Sequence, residues 1–136
     1  MDITYKTDLD GVDWVALKAK LSEDDFDNGR TPDQLRRSFE GSYAHCFACA
    51  GDQIVGKARI LSDGVCSAYV VDVWTYTPYR KQGIARHMME TVLALVRGQH
   101  VYLFTEGTAV EFYQKLGFQA HSIGMGCVVG KWLVNE

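Results

Sequence analysis

Prolines are scarce in this chain: Pro32 and Pro78 are the two present, and both sit at element boundaries. It has no linker rich in Pro, Gly or Ser, no low-complexity stretch and no internal repeat, so 136 residues read as one domain. No apolar run approaches the ~20 residues of a membrane span. Met1 to Asp10 lacks a basic head followed by an apolar stretch, so no signal peptide is expected and the expected location is cytoplasmic. A basic excess is also missing. Fourteen Lys and Arg face 17 Asp and Glu, a net charge of −3, which disfavours a general nucleic-acid binder. What remains is ordinary: 47 % hydrophobic and 23 % charged residues exclude a disordered or fibrous chain and supply a core.

Four cysteines, Cys46, Cys49, Cys66 and Cys127, raise the question of zinc or disulfides. His45 followed by Cys46-Phe47-Ala48-Cys49 looks like half a metal site. The stretch alternates like a strand, however, and on a strand residues three apart point to opposite faces. No second Cys-x-x-Cys completes four ligands. Buried reduced thiols acting as small apolar residues are the favoured reading, and no metal is expected.

Charge is unevenly placed. Residues 1–28 hold eight acids against three bases, with Glu23, Asp24, Asp25 and Asp27 close together. Two readings stay open: a solvated helix end and loop, or an acidic lip that attracts a cationic ligand.

Residues 2–6 read as a first strand. Asp10 is a candidate cap for a helix on which Trp14, Leu17 and Leu21 recur at helical spacing. Thr31-Pro32-Asp33-Gln34 is a second helix start, with Thr31 as N-cap, Pro32 at the first helical position and Gln34 closing a capping box. Strands follow at 43–50 and 53–61, joined at Gly51-Asp52, and Asp63-Gly64 makes another hairpin turn. Residues 66–77 are apolar on both parities, so that strand is central and covered on both faces. A long helix is predicted over 83–97 and a short strand over Val101 to Phe104. Thr108 and Glu111 suggest a second capping box before a helix that Gly117 stops. Phe118 to Ile123 and Cys127 to Val134 read as a closing hairpin. The order β-α-α-β-β-β-α-β-α-β-β defines a mixed α/β domain with a largely antiparallel sheet and a crossover helix after the central strand.

Between that strand and the long helix runs Tyr76-Thr77-Pro78-Tyr79-Arg80-Lys81-Gln82-Gly83-Ile84-Ala85-Arg86. The first N–H groups of a helix lack intrahelical partners and carry partial positive charge. Small residues at 83 and 85 let an anion approach them, and Arg80, Lys81 and Arg86 add charge in the same turn. Such a place suits a pyrophosphate. About thirty residues further on comes Ala109-Val110-Glu111-Phe112-Tyr113-Gln114-Lys115-Leu116-Gly117-Phe118.

Together these motifs resemble the GNAT superfamily of acetyl-CoA-dependent N-acetyltransferases. Arg80-x-x-Gly83-x-Ala85 resembles its acyl-CoA-binding motif, Q/R-x-x-G-x-G/A, and the second segment resembles its A-x-x-F-Y-x-K-x-G-F signature. The likeness covers about residues 43–134, and 101–118 also looks like small members proposed to acetylate arylalkylamines.

The resemblance implies a single GNAT domain that moves acetyl from acetyl-CoA to a primary amine in a ternary complex. Pantetheine would take strand-like bonds around Trp74, Thr75 and Tyr76. The pyrophosphate would sit on the amides of Lys81, Gln82, Gly83, Ile84, Ala85 and Arg86, with Arg80 and Phe112 beside the cofactor. Tyr113 falls on the signature tyrosine whose hydroxyl protonates the leaving thiolate. Asp72 is the one charged residue between Cys66 and Thr77. A matching acid serves some members as general base, its parity with Trp74 and Tyr76 aims it along the pantetheine face, and burial should raise its pKa. Pairing with Arg59 or a backbone N–H is the plainer alternative. Tyr76 stands where an aliphatic is usual and is expected to narrow the acyl pocket. Glu106 replaces a common Asn and is expected to face the acceptor. Acids with Trp14, Phe26 and Phe39 favour a small cationic amine, with no nucleic acid or membrane as partner; homodimers are frequent in the family. The alternative function is a catalytically idle module that binds acyl-CoA.

Overall fold

In the computed structural model, which describes residues 2–121 and 124–130, the chain runs β1 (Ile3–Lys6), α1 (Trp14–Glu23), α2 (Pro32–Glu40), β2 (Ala44–Ala50), β3 (Gln53–Ser62), β4 (Ser67–Thr75), α3 (Ile84–Leu93), β5 (His100–Tyr102) and α4 (Val110–Lys115). Short 3₁₀ turns lie at Thr77–Tyr79, Ala94–Val96 and Gly107–Ala109. The strands form one sheet in the order β1-β2-β3-β4-β5. Neighbours are antiparallel except β5, which runs parallel to β4. The mixed α/β class is as the sequence predicts, but β4 is not the central strand covered on both faces: β3 holds the middle of the sheet, and Ser67 and Tyr69 of β4 are exposed. The predicted closing hairpin falls partly on residues 122–123 and 131–136, outside the described ones; residues 118–121 and 127–130 carry no strand.

Each face of the sheet carries a core. On one, Ile84, Met88, Met89 and Val92 of α3 pack on Ala48, Ala58, Ile60 and Val70. A Cβ at Gly56 would lie 3.0 Å from Met88 Cε, so a glycine there lets α3 come close. On the other face, Leu17 and Leu21 of α1 and Leu35 and Phe39 of α2 enclose Phe47 and Trp74. Each such burial contributes roughly 1.5–3 kcal/mol. Cys46 belongs to the first core while Cys49 packs against the second, on opposite faces as strand alternation requires.

Helix ends show where local reading holds. The α2 capping box forms as predicted, with Thr31 Oγ1 accepting from Gln34 N–H and Gln34 Oε1 accepting from Thr31 N–H. The α1 cap is Asp13, not Asp10: Asp13 accepts from Ala16 N–H, whereas the Asp10 N–H bonds Asp8 in the preceding loop. The box expected at Thr108 and Glu111 does not form, because Gly107–Ala109 winds as a 3₁₀ turn and α4 starts only at Val110. The α3 helix likewise ends at Leu93 rather than 97, passing into a 3₁₀ turn.

One irregularity positions the site. Lys57 pairs with Trp74 but Arg59 pairs with Val71, so Asp72 and Val73 together oppose Ala58. This is a bulge, and Asp72 sits in the left-handed region at φ 56°. β5 pairs only with Ser67–Tyr69 of β4. Beyond Tyr69, β4 has no strand partner on that edge among the described residues.

Candidate active site

The open edge of β4, the 76–82 turn and the start of α3 bound a cleft of about 310 Å³. Val73, Trp74 and Thr75 form one wall, while Arg80, Lys81, Gly83, Ile84, Ala85 and Arg86 form the end; Ala109, Phe112 and Tyr113 close the far side, with Phe26 and Tyr79 at the margins. Ten of the thirteen residues predicted for the site line it, whereas Tyr76, Gln82 and Asp72 do not. A larger cleft, about 410 Å³, lies between the β1–α1 connection and the β2–β3 turn, and no motif residue lines it.

The cleft end is built for an anion. Gly83 caps α3 in the left-handed conformation, φ 81°, and Lys81 precedes it at φ 65°. The helix ladder begins with His87 N–H to the Gly83 carbonyl, leaving the amides of Ile84, Ala85 and Arg86 without intrahelical partners. No atom stands within 4 Å of a Cβ built on Gly83, so the approach is open.

The wall corrects one detail. Pantetheine bonds were expected around Trp74 and Tyr76, yet the Tyr76 N–H donates to the Val55 carbonyl at 2.8 Å. By antiparallel alternation, Thr75 instead turns its backbone groups to the open edge, and its carbonyl accepts from Arg80 Nε at 2.9 Å. The Trp74 side chain is buried in the second core. The Tyr76 hydroxyl donates to Glu23 and its ring packs between the two cores, so Tyr76 does not narrow the cleft.

Tyr113 projects from α4 into the cleft, its ring edge-on to Phe112 and Phe118 with centroids 4.9 and 5.9 Å away. Burial pushes its phenol above the ordinary value, so it stays protonated at neutral pH. Its hydroxyl has no hydrogen bond among the described residues, and it can serve as a proton donor.

Asp72 is different. Its side chain is 6 % exposed and meets Arg30 bidentately at 2.9 and 3.0 Å, Arg59 Nε, and Lys57 Nζ at 3.3 Å. Burial pushes its carboxyl up, but Lys57, the Arg30 bond and the charges of Arg59 and Arg30 outweigh it and hold the carboxyl well below the usual range. The expected rise in pKa is therefore overturned. A carboxylate engaged by three cations and outside the cleft is a poor base; its work is to neutralise buried charge. Glu106 is exposed and does not line the cleft.

Lys57 is fully buried, with its Nζ 5.3 Å from the Phe26 ring centroid and 5.9 Å from that of Phe39. Burial, opposed by Asp72, lowers its ammonium from 10.5 to about 8. Between those values the unfolded chain binds a proton that the folded chain has released, so folding gains stability as pH rises from about 8 to 10.5. Urea unfolding of the parent and Lys57→Met at pH 7 and pH 10 should show the parent gaining, relative to the variant, on the order of 2 kcal/mol. No relative gain would mean that the amine keeps its ordinary value.

The acidic lip is largely spent on internal bonds. Glu23 holds Tyr76, Asp24 bonds Trp74 and Thr77, and Asp27 pairs with Lys18 and Ser22. Asp25 stays exposed. Phe39 and Trp14 pack with Phe47 in the second core, leaving Phe26 as the aromatic of that group at the cleft. Sequence reasoning missed Val73, Tyr79 and Ala109 as lining residues. Ala109 had a signal, since it stands three residues before Phe112 at helical spacing; Val73 had none, because the bulge re-aims it.

A strand opened beside a helix start, faced by a tyrosine, is the arrangement the two motifs imply. The sequence profile of the acetyltransferase (GNAT) domain matches residues 12–126. The chain belongs to the GNAT acetyltransferase family. It is 31 % identical over 115 residues, 79 % of this chain and 57 % of the relative, to serotonin N-acetyltransferase 2, chloroplastic, of Oryza sativa subsp. japonica. It is 33 % identical over 76 residues to GCN5-related N-acetyltransferase 2, chloroplastic, of Arabidopsis thaliana, covering 54 % of this chain and 30 % of that one. The chain thus spans about a third to somewhat over half the length of these relatives. Among solved structures, a GNAT-family acetyltransferase of Streptococcus pneumoniae TIGR4 superposes with a TM-score of 0.79 at 26 % identity, over 96 % of this chain and all of that one. Glucosamine-6-phosphate N-acetyltransferase of Arabidopsis thaliana shares the fold alone, with a TM-score of 0.77 at 14 % identity over 96 % of this chain and all of that one.

Proposed function

We propose that this domain transfers an acetyl group from acetyl-CoA to the primary amine of a small cationic acceptor by direct attack in a ternary complex. The observation that carries the reading is the cleft itself, which joins the open β4 edge, the free amides of α3 and the Tyr113 hydroxyl in one space. Acetyl-CoA supplies the thioester. The α3 amides with Arg80, Lys81 and Arg86 hold its pyrophosphate, and the backbone of Thr75 orients its extended arm as an added strand would. Holding amine and thioester together supplies most of the rate. The amine nitrogen bonds the acetyl carbon as the carbon–sulfur bond breaks. Tyr113 gives its phenolic proton to the departing sulfur, the acylated nitrogen releases its extra proton to solvent, and the tyrosinate takes a proton back from solvent. Phe26, Tyr79 and Phe112 offer aromatic faces to the acceptor, and Asp25, exposed and next to Phe26 in the chain, adds a negative charge, a combination suited to an amine with an apolar or aromatic body. A relative named as a serotonin N-acetyltransferase agrees with that class.

Two measurements test the reading. Protein, acetyl-CoA and a panel of amines are mixed and free thiol is followed; amine-dependent release with a preference for cationic aromatic amines is expected. Binding without turnover across the panel would instead indicate an acyl-CoA-binding module. In calorimetry, Gly83→Glu should weaken acetyl-CoA at least tenfold, roughly 1.4 kcal/mol, by placing volume and charge against the pyrophosphate. Gly83→Ala, which meets open space but bears the same left-handed strain, isolates the backbone contribution. Unchanged affinity in folded Gly83→Glu removes the assignment.

A further inference from the structure

Asp24 closes α1, and its side chain is only 9 % exposed. Its carboxylate gathers donors from both sides of the strand-to-helix passage. Oδ2 accepts from the Trp74 indole Nε1 at 3.1 Å and the Thr77 N–H at 3.0 Å, and Oδ1 accepts from the Thr77 hydroxyl at 3.0 Å. Arg80 Nη2 stands 3.7 Å from Oδ2. Burial pulls against ionisation, yet the bonds from Thr77 and Trp74 and the charge of Arg80 hold the carboxyl below its usual range.

The turn that Asp24 grips has little bonding of its own. Its backbone bonds within 76–80, among the described residues, are Tyr79 N–H to the Tyr76 carbonyl and Arg80 N–H to the Thr77 carbonyl. It then enters two left-handed residues, Lys81 and Gly83, before α3 begins. Its placement therefore rests on outside partners, and Asp24 binds residues 74, 77 and 80 at once. Two residues beyond Asp24, Phe26 lines the cleft, so the same acid fixes where the α1–α2 loop meets it.

We propose that Asp24 is a positioning residue for the acetyl-CoA site, locking the 76–82 turn so that the open edge of β4 and the amides of α3 face one extended ligand together. The proposal rests on the reading of that cleft as the acetyl-CoA site. Asp24 acts through Thr77 and Arg80 and touches no reacting atom.

Two substitutions separate its parts. Asn at 24 can keep every hydrogen bond, its carbonyl oxygen facing Trp74 Nε1 and Thr77 N–H and its amide donating to the Thr77 hydroxyl; it loses only the charge beside Arg80. Ala loses all of them. Steady-state kinetics and acetyl-CoA calorimetry are run on the full chain well below each variant's unfolding temperature. Asp24→Ala is expected to raise both the KM and the Kd for acetyl-CoA at least tenfold while the amine KM stays within twofold. Asp24→Asn is expected to stay within threefold of the parent for all three. An acid that merely held the fold would lower the melting temperature without splitting the two KM values. Should Asp24→Ala not fold, Thr77→Val removes one donor from the turn and is expected to show the same split at about threefold. Unchanged acetyl-CoA constants in the folded variant, or equal rises in both KM values, overturn the role. A parent that fails to bind acetyl-CoA overturns the site reading beneath it instead.

Discussion

Tyr113→Phe is expected to slow turnover about a hundredfold while leaving acetyl-CoA affinity within twofold. The substitution removes one oxygen from a ring held by Phe112 and Phe118, so packing is preserved. The hydroxyl makes no hydrogen bond among the described residues, so its loss orphans no partner there. On the proposed mechanism, what disappears is the proton donor facing the cleft. Without it the sulfur leaves as a bare thiolate or takes its proton from water, and the transition state loses a stabilised charge. Because ground-state binding does not use the hydroxyl, kcat and kcat/KM should fall together. Single-turnover thiol release with saturating acetyl-CoA measures the chemical step directly. A rate within threefold of the parent would mean that water protonates the thiolate and that Tyr113 only packs.

The cofactor end of the cleft was legible because it is contiguous. Arg80 to Arg86 is one stretch of chain whose geometry follows from a glycine in the left-handed region and a helix start, both local facts. The capping box at Thr31 and Gln34 was legible for the same reason. Where the sequence reading failed, a distant partner or a break in periodicity decided the outcome. Parity across 72–76 assumed a regular strand, but the bulge at Asp72 and Val73 is marked by no glycine and shifts each later residue by one. Thr75 rather than Tyr76 therefore faces the open edge. A lip stayed open as a reading of the acids because the partners of Glu23 and Asp24, namely Trp74, Tyr76 and Thr77, lie about fifty residues away. Pairing of Asp72 with Arg59 was open to a sequence reading. Arg30, 42 residues upstream, and the buried Lys57 were not, because no local pattern shows that three cations converge.

That convergence makes Asp72 a residue whose loss should cost the fold heavily. Asp72→Asn keeps the volume, and Asn tolerates the left-handed backbone at φ 56°, so the substitution isolates charge. It leaves Arg30, Arg59 and Lys57 buried together without a carboxylate, and breaking a buried pair from one side costs about 3–5 kcal/mol. Urea unfolding at pH 7 should show that loss, and the Asp72→Asn, Lys57→Met double variant should recover part of it, since one orphaned cation is gone. The acid branch follows from the sign of the shift. The folded carboxyl titrates below its unfolded value, so its stabilisation is complete above the ordinary aspartate pKa and fades as pH falls through the folded one. Parent and variant stabilities should therefore converge as pH drops below about 4. Catalysis supplies the discriminating readout. If Asp72 only balances charge, the folded fraction of Asp72→Asn keeps the parent's rising alkaline limb in its pH–rate profile. A displaced limb with stability little changed would return Asp72 to the role of general base and sink the structural account.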